Sequence, residues 1–85
     1  MYWYILQLSI KVIGDKMKYI IRIRNLREDH DYTQEYVARY LGTSQTMYAR
    51  YERGANEMPI RHLISLCKLY GVSADYILGL SDIKR

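Results

Sequence analysis

Hydroxyl and guanidinium side chains are concentrated in the segment LGTSQTMYARYERG, residues 41–54. Ser44 and Thr46 carry hydroxyls, which act as nucleophiles when a neighbouring base activates them. Arg50 and Arg53 carry a permanent positive charge in the planar form that binds phosphates and base edges. These residue types and spacings therefore allow either a reactive site or a surface that recognises another molecule.

The remaining reactive side chains do not support a catalytic centre. His30 and His62 are far apart in the sequence, and neither has a recognisable spacing to Cys67. The sequence contains no glycine-rich phosphate loop, no His-Glu metal pattern and no nucleophile elbow. A single cysteine excludes an internal disulfide and a multi-cysteine zinc site. We therefore predict a protein that is not an enzyme and that uses no metal or cofactor.

Composition predicts one globular domain in a reducing compartment, which we take to be the cytoplasm. The chain has 85 residues, of which 49% are hydrophobic and 26% charged. The net charge of +4 favours an anionic partner. Residues 11–27 hold six basic side chains and one acid, whereas residues 28–35 hold four acids and no base. Any anion-binding site must therefore be local.

The apolar start of the chain, MYWYILQLSIKVI, is too short for a membrane span, which needs about 20 residues. It lacks the basic region and the small-residue cleavage site of a signal peptide. Apolar residues occupy every second position from Tyr2 to Val12, which is typical of a β-strand. We therefore predict an N-terminal strand-like arm and no membrane association.

After Gly14-Asp15 the apolar spacing becomes helical, and capping residues divide the chain into five helices. Thr33, Ser44 and Ser73 are suitable N-caps, since their side-chain oxygens can accept from free backbone N–H groups. The fold class is therefore all-α, with five helices after the arm. The predicted helices are Lys16–Asp29, Gln34–Leu41, Gln45–Arg53, one from Pro59 to Tyr70, and Ala74–Leu80.

The second and third helices are joined by only Gly42-Thr43-Ser44. A turn of that length sets two helices steeply across each other, and the small Ala38 lets them approach closely. This is the helix-turn-helix arrangement, whose second helix can lie in the major groove of DNA.

The segment TQEYVARYLGTSQTMYARYERG resembles the XRE-type helix-turn-helix family of phage repressor and Cro proteins. The later segment MPIRHLISLCKLYGVSADYILGLSD resembles helices 4 and 5 of that family. The resemblance implies a DNA-binding domain over residues 17–82, followed by a tail over 83–85. It also implies a transcriptional regulator, most simply a repressor, that binds double-stranded operator DNA as a homodimer.

By position in the motif, Gln45, Thr46, Ala49 and Arg50 are the residues expected to contact bases. Arginine can bind guanine O6 and N7 with two hydrogen bonds, and glutamine can bind adenine in the same way. Ala49 and the Thr46 methyl group can contact a thymine methyl group.

Four further residues are expected to contact phosphates. Gln34 lies at the start of helix 2, where the free backbone N–H groups and the helix dipole attract an anion. Thr43, Ser44 and Arg53 lie near the expected path of the DNA backbone, although Ser44 serves first as an N-cap.

The sequence departs from the family pattern at several tyrosines. Tyr48 occupies a position that is usually a buried isoleucine or valine, and a buried hydroxyl needs a hydrogen-bond partner. Tyr36 and Tyr40 are four residues apart and are predicted to form an exposed pair beside Arg39. Arg27 matches a recurrent arginine of the family and is predicted to have a structural role, with Glu52 as its ion-pair partner.

The sequence leaves alternatives open for the N-terminal arm and for the function of the protein. Residues 1–16 are either an upstream extension that precedes a start at Met17 or a strand that pairs with its copy across a dimer. A protein-interaction module, such as an antitoxin or adaptor, is the alternative function, with Tyr36, Tyr40 and the arm contacting a protein partner.

The dimer surface that the resemblance favours consists of helix 5 and the tail, with Tyr76, Ile77, Leu80 and Ile83.

Overall fold

The described part of the chain forms five α-helices. The computed structural model describes the backbone of residues 2–85 and the side chains of residues 16–85. No strand occurs over this described backbone, so the all-α, five-helix prediction is confirmed. The helices are α1 (Tyr2–Asp29), α2 (Gln34–Leu41), α3 (Gln45–Arg53), α4 (Ile60–Tyr70) and α5 (Ala74–Leu78).

Capping residues fix the ends of α2 and α3 where the sequence predicts them. Thr33 and Ser44 have extended backbone conformations, and their hydroxyls accept hydrogen bonds from the N–H groups of Tyr36 and Met47. Gly42 ends α2 with a left-handed φ of 76°, which a residue without a Cβ adopts at little cost. The three-residue turn between the two helices is therefore bounded by a glycine C-cap and a serine N-cap.

The first helix differs from the prediction, because α1 begins at Tyr2 and not at Lys16. The prediction of an N-terminal strand was wrong, since the backbone of this segment is helical. In an alternating pattern, every second apolar residue is followed by another one four positions later, and residues four apart lie on the same face of a helix. The pattern is therefore also compatible with a helix. A helix also satisfies its own backbone groups, whereas a lone strand needs a partner. The predicted domain boundary at residue 17 falls inside α1.

The later helices differ by small amounts. Pro59 is the N-cap of α4, and the helix begins at Ile60. Helix α5 ends at Leu78 and not at Leu80, because Gly79 takes a left-handed φ of 82°. None of the helices in the described part of the chain is long and apolar enough to cross a membrane.

The core joins all five helices around α1 and α3. Its members are apolar or aromatic, and each is at most 8% exposed. They are Ile23, Leu26, Val37, Ala38, Leu41, Tyr48, Tyr51, Leu66, Tyr70 and Ile77. Because residues of α2 and α3 enter the same core as α1, the packing fixes the orientation of both helices of the helix-turn-helix.

Arg22 of α1 attaches α5 and the tail to the rest of the domain. Its guanidinium donates to the backbone oxygens of Tyr76 and Ser81 and lies 4.2 Å from the centre of the Tyr76 ring. It also pairs with Asp82 at 2.9 Å. Ile77 is also completely buried. Tyr76 and Ile77 therefore pack within the monomer and attach α5 to α1. Of the predicted dimer residues, only Leu80 and Ile83 are largely exposed.

Candidate nucleic-acid interface

One side of α3 is exposed and the other is buried. Tyr48 points into the core, as its position in the motif predicted, and Tyr51 does the same; they are 0% and 5% exposed. Gln45, Thr46 and Arg50 are exposed, and Ala49 is half-buried between them. Since positions three and four apart share a helix face, these four predicted base-contacting residues form one surface.

The Arg50 guanidinium is free of acidic partners among the described residues. Its Nη1 lies 3.5 Å from the Asn56 side-chain oxygen, a long hydrogen bond at an exposed position. The backbone oxygen of Arg50 accepts from the N–H groups of Ala55 at 2.9 Å and Asn56 at 3.5 Å. The loop after α3 is therefore attached to the helix at Arg50, while the charge of the side chain is available to a ligand.

A buried ion pair holds α3 against α1, as the sequence predicted for Arg27 and Glu52. Arg27 Nε lies 2.7 Å from Glu52 Oε2, and Nη2 lies 3.1 Å from Oε1. Glu52 is only 2% exposed. Burial would raise the pKa of the Glu52 carboxyl, but the hydrogen bonds to it, led by that from Arg27, lower the pKa below its usual value. The carboxylate is therefore stable in its charged form inside the protein.

Gln34 extends this ion pair to α2. Its amide nitrogen donates to Glu52 Oε1 at 3.2 Å, a contact that the motif did not predict. The three residues thus connect the first three helices through one carboxylate. A Gln34 amide has two N–H donors, so the second remains for another acceptor at the start of α2.

The other predicted phosphate-contacting residues surround the ends of α3. Thr43 is half-buried, and its backbone N–H donates to the oxygen of Ala38 at 2.9 Å. Ser44 is exposed, and its hydroxyl accepts from the Met47 N–H at 3.1 Å. Arg53 is exposed in the last turn. Thr43 and Ser44 therefore lie at the start of α3, and Arg53 lies at its end.

The tyrosines only partly follow the prediction. The Tyr48 hydroxyl is buried and makes no hydrogen bond of regular geometry with the described residues. Burial, and then its interaction with the Glu52 carboxylate as a hydrogen-bond acceptor, raise the pKa of this hydroxyl, so it stays neutral. Tyr36 and Tyr40 are exposed, but the predicted ring pair was wrong. The Tyr36 ring contacts Tyr32, with ring centres 4.5 Å apart.

The helix-turn-helix lies within a segment that matches a known family. The family model described as helix-turn-helix matches residues 23–77, from the last two turns of α1 to α5. This range contains every predicted base-contacting and phosphate-contacting residue. No solved structure matches the chain.

Three curated relatives are similar to most of this chain. An uncharacterised HTH-type transcriptional regulator of Bacillus subtilis, YobD, is 42% identical over 64 residues, or 75% of this chain. The cryptic phage CTXphi transcriptional repressor RstR of Vibrio cholerae is 37% identical over 61 residues, or 72% of this chain. The antitoxin PezA of Streptococcus pneumoniae is 35% identical over 57 residues, or 67% of this chain. The matches cover 57%, 55% and 36% of those relatives, so the chain spans about half the length of the first two.

Proposed function

The chain belongs to the XRE-type helix-turn-helix family, and from this premise we propose that it is a sequence-specific DNA-binding transcriptional regulator. The observation that carries the proposal is the exposed face of α3, with Gln45, Thr46 and Arg50 on a helix whose other face is buried. A rigidly held helix with polar side chains on one exposed face can enter the major groove and contact base edges. The relatives named as transcriptional regulators and as a repressor support the same function.

Base recognition is assigned to Gln45, Thr46, Ala49 and Arg50. Arg50 donates two hydrogen bonds to a guanine, and Gln45 pairs with an adenine. Ala49 and the Thr46 methyl group contact thymine methyl groups. The small side chain of Ala49 is compatible with an apolar contact there, because a longer side chain would hold the helix away from the bases.

Phosphate contacts are assigned to Gln34, Thr43, Ser44 and Arg53. The Glu52 carboxylate holds the Gln34 amide in place, so the remaining N–H is directed before DNA arrives. These contacts position α3 and carry no sequence information themselves.

The regulator acts in the cytoplasm as a homodimer and represses by occupying an operator. One recognition helix reads only a few base pairs, so two helices about 34 Å apart are needed for specificity. Leu80 and Ile83, which are 75% and 71% exposed, supply the apolar surface between the subunits. The protein binds DNA without chemical catalysis and without a cofactor.

Selection of bound sequences from a random duplex pool tests the proposal. We expect one enriched motif with two-fold symmetry, and an affinity that falls steeply as salt rises, because released counterions drive phosphate binding. A pool without an enriched motif would contradict sequence-specific binding.

The Arg50→Ala variant tests the assignment of base recognition. We expect it to lose about 1–3 kcal/mol of operator binding and to relax the preference at one base pair of each half-site. Arg61→Ala is the matched control, since Arg61 is also an exposed arginine but lies on α4. Equal affinity and an unchanged motif for Arg50→Ala would show that this arginine does not read a base.

A protein-interaction module is the second candidate function. Aromatic surface is exposed on α2 at Tyr36, whose ring contacts Tyr32, and at Tyr40. Neither residue is among the proposed DNA contacts. The similarity to the antitoxin PezA also favours this candidate. A protein partner that is lost with Tyr36→Ala, in the absence of salt-dependent DNA binding, would identify it.

A further inference from the structure

Basic side chains on α1 contact different parts of the domain. Arg22 donates to α5 and the tail, and Arg27 pairs with the buried Glu52 of α3. Lys18 is exposed and lies against the end of α5, since a Cβ at Gly79 would be 2.8 Å from its Cδ atom. Arg22 and Arg27 therefore have partners within the domain, and the Lys18 side chain lies at α5.

Lys16 lies instead at the end of α3. A Cβ at Gly54, the C-cap of α3, would be 3.6 Å from Lys16 Cε and 2.6 Å from Ile20 Cδ1. Lys16, Ile20 and Arg27 are separated by four and then seven residues, so they lie along one face of α1. That face packs on α3, because Arg27 pairs with an acid of α3. The exposed Lys16 side chain is therefore held beside the last turn of α3.

Arg53 provides a second positive charge at the same end of α3. It directly precedes Gly54 and is exposed in the last turn of the helix. Among the side chains that the structure describes, no acid forms an ion pair with Lys16 or Arg53. Two positive charges without an acidic partner raise the local concentration of anions around them. The end of α3 is therefore suited to bind an anionic group.

Family membership gives Lys16 no role, because the match to the family model begins at residue 23. One role for its charge is structural, since a cation near the C-terminus of a helix interacts favourably with the helix dipole. The other role is a contact with DNA, because lysine and arginine side chains supply many of the phosphate contacts that position a protein on the duplex. Removal of the charge would lower stability in the first case and DNA affinity in the second.

We propose that Lys16 binds a phosphate of the DNA backbone at the end of α3, beside the phosphate contact of Arg53. This inference rests on the proposed function, in which the exposed face of α3 lies in the major groove. The Lys16 ammonium group has three N–H donors on a flexible stem, so it binds a phosphate as a mobile point charge. The contact adds affinity and no sequence preference. The part of α1 that precedes the matched segment thus takes part in DNA binding.

The salt dependence of DNA binding by the Lys16→Ala variant tests this contact. Affinity is measured over a range of salt concentrations for two probes, the duplex selected from the random pool and a duplex of mixed sequence. Each phosphate contact contributes about 0.9 to the slope of the logarithm of the association constant against that of salt concentration. We expect Lys16→Ala to lower the slope by that amount and to bind both duplexes about eightfold more weakly at about 0.1 M salt. Arg50→Ala, in contrast, should weaken binding to the selected duplex more than to the mixed one.

Lys18→Ala is the matched control, because it removes the same charge from the same helix but at the end of α5. It should leave the slope unchanged. Lys16→Arg keeps the positive charge and should retain the slope of the wild type. Arg53→Ala should lower the slope by about as much as Lys16→Ala, and the double variant by about twice as much, since each residue contacts its own phosphate. The urea midpoint of Lys16→Ala should equal that of the wild type.

Several results would overturn the contact. An unchanged slope in Lys16→Ala would do so and would leave the regulator function intact, and a lower urea midpoint in the same variant would assign Lys16 to the dipole of α3. Equal losses of slope in Lys16→Ala and Lys18→Ala would reveal only an effect of net charge. A lower slope on the mixed duplex, without any enriched motif, would support the contact but contradict sequence-specific regulation. Absence of binding to both duplexes by the wild type would contradict both proposals.

Discussion

Glu52 connects the three helices of the candidate interface through a single carboxylate. It lies on α3, forms two contacts with Arg27 of α1 and accepts from Gln34 of α2. The Glu52→Ala change leaves the Arg27 guanidinium half-buried without its partner. We therefore expect a loss of about 3–5 kcal/mol in the free energy of unfolding, the usual cost of breaking a buried pair. Urea unfolding followed by circular dichroism measures it.

Glu35→Ala is the matched control for this prediction. Glu35 also pairs with an arginine, Arg39, at 3.0 Å, but both side chains are more than 60% exposed. An exposed pair four residues apart on a helix contributes only about 0.3–0.5 kcal/mol. Equal losses for the two variants would show that the buried ion pair has no special role in stability.

His62 gives the protein a pH-dependent stability. It is 3% exposed on α4, with its ring centre 5.9 Å from that of Tyr51. Burial, and then the positive charge of Arg61, lower its pKa in the folded state. The unfolded chain therefore binds a proton more readily. The contribution of His62 to stability is complete above the unfolded pKa of about 6.5 and is lost as pH falls through the folded value.

The urea midpoint should therefore fall between about pH 7 and about pH 5, within the range in which an unfolded histidine gains its proton. The carboxylate of Glu52 adds a change of the same sign at lower pH, so the comparison needs a variant. His62→Gln, which cannot titrate, should show a smaller fall than the wild type. An equal fall in His62→Gln and the wild type would refute the assignment.

At the scale of single residues, the sequence predicted contacts within the motif better than contacts between elements. The pair of Arg27 and Glu52 was predicted because the family resemblance marks Arg27 as structural. The bond from Gln34 to Glu52 was missed, since it depends on how closely α2 packs on α3. The ring pair of Tyr36 and Tyr40 was wrong because Tyr32, in the loop before α2, supplies the nearer ring.

Among the elements, α2 and α3 were predicted with the bounds that the structure has, because each begins at a hydroxyl N-cap and ends at a left-handed glycine. Local hydrogen bonds decide such ends, so the sequence contains the information. The start of α1 was not predicted, since the alternating apolar residues before Gly14 suit both a strand and a helix. No capping residue there distinguishes the two.

An alanine substitution at Gly54 tests how tightly α1 packs on the end of α3. Gly42 and Gly54 are both C-caps, with φ values of 76° and 75°. A Cβ at Gly42 would meet no atom within 4 Å, whereas a Cβ at Gly54 would lie 2.6 Å from Ile20 Cδ1 on α1. The Gly42→Ala variant should lose about 1–2 kcal/mol, which is the cost of a left-handed backbone for alanine.

Gly54→Ala should lose the same amount and about 1–3 kcal/mol more, because Ile20 must move from its packed position. Thermal and urea unfolding of the two variants give the difference directly, since the backbone cost is common to both. If the two variants are equally stable, Ile20 adjusts freely, and the packing of α1 on the end of α3 is loose.

For the whole molecule, the core and the ion pair give one rigid support for the face of α3, while the exposed apolar residues lie elsewhere. Because α5 ends at Leu78, the tail of the structure comprises residues 79–85 and contains both Leu80 and Ile83. It returns to the start of α5, where the Ser73 N–H donates to the Lys84 oxygen at 2.7 Å. The tail is therefore held in place, and its two large apolar side chains are directed outward. Such a surface can pair with its copy without any change in the monomer fold.

The dimer proposed for DNA binding should therefore dissociate when both tail residues become acidic. In the double variant Leu80→Asp, Ile83→Asp, buried like charges would oppose pairing, and sedimentation equilibrium should give a monomer. The same variant should bind a full operator with an affinity close to that for a half-site, because the two recognition helices are no longer linked.

Ile64→Asp is the matched control, since Ile64 is 51% exposed on α4 and is not a residue of the tail. It should remain dimeric and should retain the higher affinity for the full operator. Dissociation of the Ile64→Asp variant, with a dimer retained in the tail variant, would place the subunit contact on α4 instead. In that case the tail would serve only to close the monomer, as Tyr76 and Ile77 already do.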